Sequence, residues 1–368
     1  MFSLILISYF IFIVWLINGF NNIADDTLNE NFFLVSIIVS VKNEEKNIQN
    51  LLNSLSTQDY PIDQYEIIIA DDHSTDNTLS ILQENKENIK NLKVINIKKT
   101  PDNLSSKKWA LTQAIQESKG EIILQTDGDC IVEKKWISKM VAPFLKAEIG
   151  FVSGYTPLKL VKKDLMDRIL IFENLAQDAF FASCIGRGLT MSCVGRSIAF
   201  RKKYFLDING YEDMKDIESG DDDLLMHRMI FGKKCKIAYV ISKYSNVHSY
   251  APKNVNDFIN QRLRFASKGK LYYKLFYISS ELRIILPFLL LSNIIAIFSV
   301  VSFCLNPKMI LLFPWIIKTT ADGMLLKVFC NIFNIKFDYC SFFILSLLHP
   351  FYIVIFSLIA PFKKYKWK

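Results

Sequence analysis

The chain has 368 residues, 51% apolar and 13% aromatic, enough for one large or two medium domains and too apolar for a soluble enzyme of this size. Its net charge of +8 comes from scattered lysines with no basic stripe interleaved with aromatics; this argues against nucleic acid as a partner and suits a protein facing anionic lipid. Seven cysteines, odd in number and without a Cys-x-x-Cys pair, imply neither a disulfide framework nor a zinc site and fit a reducing compartment.

Residues 2–20, FSLILISYFIFIVWLINGF, run nineteen positions without a charge, close to the ~20 needed to cross hydrocarbon. With no basic residue ahead of it and no small-x-small cleavage site, this segment reads as a retained transmembrane anchor, residues 1–22. Short β-branched runs follow at 35–41 (VSIIVSV), 66–70 (EIIIA), 93–97 (KVINI) and 121–126 (EIILQT), the pattern of buried parallel strands. Helices are predicted between them: from about Asn43 to Leu55, with Ile48, Leu51, Leu52 and Leu55 at helical spacing, from near Thr75-Asp76, and from about Lys107 to Glu117. This alternation predicts right-handed crossovers and a doubly wound α/β half, which binds ligands at the carboxyl ends of its strands.

Those strand ends carry acids. The second strand runs into Asp71-Asp72-His73-Ser74-Thr75-Asp76, where Ser74, Thr75 or Asp76 serves as a helix cap and Asp71 and Asp72 are acceptors suited to a base or ribose. The fourth ends in Asp127-Gly128-Asp129, which is a common turn sequence and also two hard oxygen ligands one residue apart. Further on, ESGDDDLLMHRM sets an acidic triplet at the positive end of a helix, by itself an ordinary cap. His248, upstream of Pro252, is a candidate to approach a ligand, whereas His73, His227, His349 and Cys130 read as structural.

Near the C-terminus, about 284–305 and 341–360 are free of Asp, Glu, Lys and Arg and read as spans. Residues 309–329 carry Lys318, Asp322 and Lys327, so they form either a span with those charges paired or an interfacial helix. The tail KKYKWK and the Lys-rich central region both argue for the cytoplasm, which an even number of crossings between them satisfies, whereas the four lysines from 308 to 336 would then lie outside or at the surface; the positive-inside rule alone leaves the topology open.

Taken in order, VSIIVSVKNEE, IIIADDHSTDNT, KKWALTQAIQESKGEIILQTDGDC, GDDD and QRLRF resemble the successive motifs of the family 2 glycosyltransferases, from about Val35 to Gly269. The resemblance implies an α/β GT-A fold over residues 31–270, with a Rossmann-like nucleotide-binding half and an acceptor half, followed by a C-terminal membrane region, 271–368. It implies that Asp71 and Asp72, with Glu44 beside them, contact the nucleotide base and ribose. Asp127 and Asp129 would hold Mg²⁺ or Mn²⁺ on the donor diphosphate, with Lys107 near the phosphates. Family members carry Glu-Asp in the later motif with an arginine six positions after the Asp; counting back from Arg228 makes Asp222 the general base and Asp221 the counterpart of the Glu. The other alignment makes Asp221 the base.

Gln261-Arg262-Leu263-Arg264-Phe265 is similar to the Gln-x-x-Arg-Trp motif of cellulose and hyaluronan synthases and of ceramide glucosyltransferase. This implies that Gln261 and Arg264 serve the donor diphosphate, and that Phe265, replacing Trp, packs on the acceptor. An amphipathic interfacial helix turning Arg262, Arg264, Lys268 and Lys270 to head groups fits the same residues. The implied activity is inverting, metal-dependent transfer of a sugar from a nucleotide-sugar donor to a membrane lipid or lipid-linked saccharide, at the cytoplasmic membrane of a bacterium. The alternatives are a processive polysaccharide synthase and, from another class, a non-catalytic scaffold subunit of an envelope polysaccharide assembly.

Overall fold

The computed structural model describes residues 2–23, 32–102, 104–160, 162, 164–252 and 254–362; the basic tail and residue 31, where the catalytic domain was expected to start, lie outside the described residues. The chain opens on helix α1 (Phe2–Ile17). Strands and helices then alternate as β1 (Val35–Val41), α2 (Ile48–Ser56), β2 (Tyr65–Asp72), α3 (Thr78–Asn88), β3 (Leu92–Ile97), α4 (Ser106–Gln116) and β4 (Ile122–Gln125). Next come β5 (Ile131–Val132), α5 (Trp136–Val141), β6 (Ile149–Gly154), β7 (Leu158–Lys159), α6 (Leu165–Gly186), β8 (Ile198–Arg201), α7 (Lys202–Asp207), α8 (Asp223–Lys233), β9 (Lys236–Val240) and β10 (Val247–Tyr250). The remainder is helical: α9 (Val255–Ser267), α10 (Gly269–Lys274), α11 (Ser280–Leu305), α12 (Phe313–Ile332) and α13 (Tyr339–Ile359). Packing divides these elements into two units.

The α/β unit comprises Ile23–Pro157 and Ser192–Tyr250. Its main sheet runs β3-β2-β1-β4-β8-β6-β9, with β3, β2, β1 and β4 mutually parallel and β8 antiparallel to both of its neighbours. Strand β1 turns Val35, Ile37, Val39 and Val41 to one face and Ser36, Ile38 and Ser40 to the other and is buried along nearly its whole length, which suits the centre of a covered parallel sheet. Ile37, Val39, Ile67, Ile69 and Leu124 build the core against Ile48, Leu51, Leu52 and Leu55 of α2. Register sets the site: Val41, the last residue of β1, pairs with Asp71, and Ile38 with Gln125, so the acidic ends of β2 and β4 flank the end of β1.

Two helix starts differ from expectation. The helix expected from Asn43 begins at Ile48, because Asn43 adopts a left-handed backbone (φ 56°), which Asn tolerates and a helix does not. The turn it makes joins the loops after β1 and β2: Thr75 N–H donates to Asn43 Oδ1 (2.8 Å), Asn43 N–H to Ser74 Oγ (2.9 Å), and Glu44 N–H to Thr78 Oγ1 (2.8 Å). Helix α3 likewise begins at Thr78, whose N–H donates to Asp76 Oδ1 (3.0 Å), so Asp76 does the capping.

The helical unit comprises Met1–Asn22, Leu158–Met191 and Ala251–Lys368. Among the described residues five of its helices are long and apolar enough to cross a membrane: Leu4–Asn22, Leu165–Gly186, Ser280–Leu305, Met309–Ile332 and Tyr339–Ile359. The second, α6, was not anticipated, since Asp167, Arg168, Glu173 and Asp178 interrupt its apolar run. The structure partners those groups. Glu173 pairs with Arg262 of α9 and accepts from the Tyr352 hydroxyl of α13 (2.6 Å), and Asn174 Nδ2 donates to Asp178 Oδ2 (3.3 Å). Arg262, which the alternative of an interfacial helix would turn to lipid head groups, is therefore buried.

In α12 two of the three charges are paired: Lys318 Nζ lies 2.6 Å from Asp322 Oδ2, and Tyr9 of α1 donates to Asp322 Oδ1 at 2.5 Å, while the exposed Lys327 donates to the Tyr339 hydroxyl (3.3 Å). Pairing of this kind is what an apolar surround demands of a charged helix. Gly19 and Gly186 let two backbones meet: a Cβ on Gly186 would lie 2.0 Å from the Gly19 carbonyl oxygen.

Removing one partner of the buried Glu173–Arg262 pair strands the other's charge, a loss of about 3–5 kcal/mol. Glu173→Ala should accordingly lower the thermal unfolding midpoint of the detergent-purified protein more than Arg168→Ala, whose ion pair at 3.7 Å is exposed; equal midpoints for the two variants would contradict the pairing.

Candidate active site

The loops at the carboxyl ends of β1, β2 and β4 gather most of the expected residues. Asp71 is 1% exposed; its Oδ2 accepts from Ser74 N–H (3.4 Å), while its buried Oδ1 has no hydrogen-bond partner among the described residues. Native proteins rarely leave such an acceptor empty, so it marks a place for a ligand donor. Asp72, also buried, is engaged already: it accepts from the Ser106 hydroxyl at the start of α4 and lies 2.8 Å from His73 Nδ1. Glu44 accepts from Asn47 Nδ2 at 2.6 Å.

Beyond β4, Cys130 N–H donates to the Asp127 carbonyl (3.2 Å), so Asp127-Gly128-Asp129 is a turn and an acidic pair at once. Gly128 is required by close approach, because a Cβ there would lie 2.8 Å from Val41 Cγ1 and 3.0 Å from Glu44 Cγ. The acidic pair is thereby pressed against the end of β1 and the Glu44 loop.

Lys107 connects this loop to the acidic triplet. Its Nζ lies 3.0 Å from Asp127 Oδ1 and 2.8 Å from Asp221 Oδ2, and Asp221 also accepts from Gln125 Nε2 (3.3 Å). Burial pulls the Lys107 pKa down, but the charges of Asp127 and Asp221 more than offset it and hold the ammonium well above the usual lysine range. Asp129 is shifted upward, first by burial and then by Asp127, against the opposing charge of Arg196. Asp222 caps α8; its Oδ1 accepts from Asp223 N–H (2.7 Å) and its Oδ2 from Gly195 N–H (3.1 Å).

Three contributors escaped the sequence reading: Gln125, Arg196 and Lys108. The Lys108 ammonium, 2% exposed, donates to the carbonyls of Met214 (2.9 Å), Ile217 (2.5 Å) and Ser219 (2.9 Å), fixing the segment that leads into the triplet. Its helical spacing with the buried Leu111 and Ile115 was a usable signal that it points inward. Nothing in the local sequence marks Arg196. His248 stands 2.9 Å from Glu133 Oε1, across the β5–β10 pairing. Gln261, Arg264 and Phe265 belong to α9 of the helical unit, where the Arg264 guanidinium lies 5.5 Å from the 38%-exposed Phe265 ring.

Among the described residues no three His, Cys, Asp or Glu side chains converge into a protein-only metal cage. Two carboxylates do suit Mg²⁺ or Mn²⁺, which fill most of their shell with water and substrate phosphate. The ammonium of Lys107 on Asp127 shows that this spot already attracts a cation. The residues present therefore fit a divalent ion held jointly with a diphosphate.

A β3-β2-β1-β4 sheet with carboxylates at its strand ends, continued by antiparallel β8, defines a nucleotide-binding α/β fold of the GT-A type. The mannosyltransferase PcManGT of Pyrobaculum calidifontis, solved with GDP-Man and Mn²⁺, shares that fold: TM-score 0.60 at 16% identity, over 98% of this chain and 94% of that one. Residues 36–208 match the family model described as Glycosyl transferase family 2, and the chain thus carries a family 2 glycosyltransferase domain. Curated relatives include the beta-monoglucosyldiacylglycerol synthase of Nostoc sp. (strain PCC 7120), 37% identical over 118 residues (32% of this chain, 25% of the relative). Glycosyltransferase AglE of Haloferax volcanii is 31% identical over 120 residues, 33% of this chain and 38% of its own. The matched regions span between a quarter and two fifths of these relatives.

Because the folded pKa of Lys107 lies above its unfolded value, its contribution to stability is full below the ordinary lysine pKa and is lost only as pH rises through the higher folded value. The difference in unfolding midpoint between wild type and Lys107→Met should therefore stay constant from about pH 6 to 9; a difference that shrinks across that window would contradict the bridge.

Proposed function

We propose that the protein is a membrane-embedded inverting glycosyltransferase that moves a sugar from a nucleotide-diphospho-sugar to a lipid or lipid-linked saccharide at the cytoplasmic face. The observation that carries this reading is the Asp127–Lys107–Asp221 bridge, which sets the carboxylate pair suited to a donor diphosphate beside the triplet that offers a base. Asp71 presents an acceptor to the nucleoside through its unpartnered Oδ1, with Asp72 and Glu44 shaping the same rim. Asp127 and Asp129 hold Mg²⁺ or Mn²⁺, which when bound supplies Lewis-acid neutralisation of the departing diphosphate. Lys107 adds a fixed positive charge beside it.

Asp222 is the better base of the two acids considered. Asp221 is committed to the Lys107 ammonium and buried, whereas Asp222 is part-exposed and held by the backbone N–H groups of Asp223, at the start of α8, and of Gly195. The acceptor hydroxyl passes its proton to the Asp222 carboxylate as its oxygen bonds the anomeric carbon. The bond from that carbon to the diphosphate oxygen breaks with its electron pair leaving on the diphosphate, and one displacement inverts the centre.

Five apolar helices among the described residues, with Glu173 paired to Arg262 and Lys318 to Asp322, support membrane insertion. A relative named for diacylglycerol supports a lipid acceptor. In this reading Gln261, Arg264 and Phe265 of α9 serve the diphosphate and the acceptor, and the scattered lysines favour the cytoplasmic face.

The test is release of nucleoside diphosphate by detergent-purified protein given a panel of nucleotide sugars, lipid extract, and either Mn²⁺ or EDTA. Asp222→Asn should slow release by about 10²–10⁴-fold, the usual worth of a positioned base, and release at the wild-type rate would remove Asp222 from that role. Asp127→Asn and EDTA should each suppress release; turnover that continues in EDTA would contradict the metal-assisted reading.

A further inference from the structure

We propose that Arg196 is a diphosphate-binding residue of the α/β unit, a second fixed cation beside Lys107; this rests on the donor reading above. Arg196 lies in the segment that enters β8. Its Nη1 donates to the Ser249 hydroxyl of β10, and its Nη2 donates to the Thr156 carbonyl (3.2 Å) and hydroxyl (3.1 Å), just past β6. These hydrogen-bond partners, from two different segments, are all neutral. Among the described residues the guanidinium is fixed by these neutral groups and forms no ion pair, so its charge is available to an anion.

Its position gives that charge a use. Ser249, which holds Nη1, follows the Val247–His248 stretch of β10 that pairs with Val132 and Ile131 of β5, the strand just beyond the acidic loop, so the guanidinium is held close to that loop. The preceding residue, Gly195, donates its N–H to Asp222 Oδ2 (3.1 Å), so Gly195-Arg196 lies between the acidic loop and the triplet.

Counting charges shows why one more cation is needed. Asp127, Asp129 and Asp221 bring three negative charges, which Lys107 and a divalent ion together balance. Within the α/β unit Arg196 then supplies a counter-charge for the two donor phosphates, at about one negative charge each and more as the diphosphate leaves, in addition to the Arg264 of α9 that the donor reading assigns to them. A planar guanidinium held by neutral groups matches phosphate oxygens in geometry and needs no reorganisation when they arrive.

The experiment is calorimetric titration of the full-length protein in detergent with UDP and GDP in the presence of Mn²⁺, and with uridine and guanosine, for wild type, Arg196→Met, Arg196→Lys and Ser249→Ala. Arg196→Met should weaken binding of the preferred diphosphate by about tenfold or more while leaving its nucleoside within about twofold, with Arg196→Lys intermediate, as loss of a charge-assisted fork predicts. Ser249→Ala, which loosens the guanidinium without removing it, should weaken the diphosphate alone. An unchanged diphosphate affinity in Arg196→Met overturns the proposal, and so does an equal loss for diphosphate and nucleoside, which would mark a structural role. Should Arg196→Met not fold, Arg196→Lys decides by the same selectivity. A wild-type protein that binds neither diphosphate overturns the donor reading itself, an outcome distinct from failure of Arg196 alone.

Discussion

One ammonium group organises the α/β unit. Lys107 stands in the first turn of α4 with its Nζ shared between Asp127, just beyond β4, and Asp221, just ahead of α8. Without it two carboxylates from segments nearly a hundred residues apart would repel across a part-buried gap, so the same charge that draws them together sets their spacing. Its neighbour Lys108 does the equivalent for backbone, satisfying three carbonyls of the 214–219 segment from the other side of the helix. Two consecutive lysines thus place one loop by its carboxylate and another by its main chain.

Strand register and loop stitching supply the remaining precision. The pairing of Val41 with Asp71 fixes where the second strand's acids emerge, and the Asn43 turn joins that loop to the one after β1 by bonds of 2.8–2.9 Å. Gly128 keeps the Asp127–Asp129 loop in contact with Val41 and Glu44, where any side chain would force it away. Carboxylates held this way repel one another, and the repulsion is what makes a cation with a phosphate ligand favourable there.

How much could be read in advance varied with the kind of signal. The first strand was legible to its end residues, because an unbroken β-branched run bounded by polar residues leaves little choice, and the GT-A fold followed from the strand–helix alternation and the resemblance together. The acids at the ends of β2 and β4 were visible for the same reason: a strand fixes where its last residue points. The true start of α2 was not, since Asn43-Glu44-Glu45 reads as first-turn chemistry and only the neighbouring loop reveals the left-handed Asn43. Helix α6 was hidden by its own charges, whose partners Arg262 and Tyr352 lie 89 and 179 residues away. Arg196 carries no local pattern at all; only the hydroxyls and carbonyl that fold around it give it meaning.

The helical unit follows the same rule in a more apolar setting, where Glu173 with Arg262, and Lys318 with Asp322 and Tyr9, keep charge inside by pairing it. For the α/β unit the decisive question is whether the cation site around Asp127 and Asp129 is real. The most direct measurement is an anomalous difference map, collected at the manganese edge, from crystals of the protein grown with Mn²⁺ and a nucleoside diphosphate. The account predicts a single peak within coordination distance of the Asp127 and Asp129 carboxylates and of the phosphate oxygens. A diphosphate bound with no manganese at those two carboxylates, or manganese bound elsewhere in the unit, would contradict it.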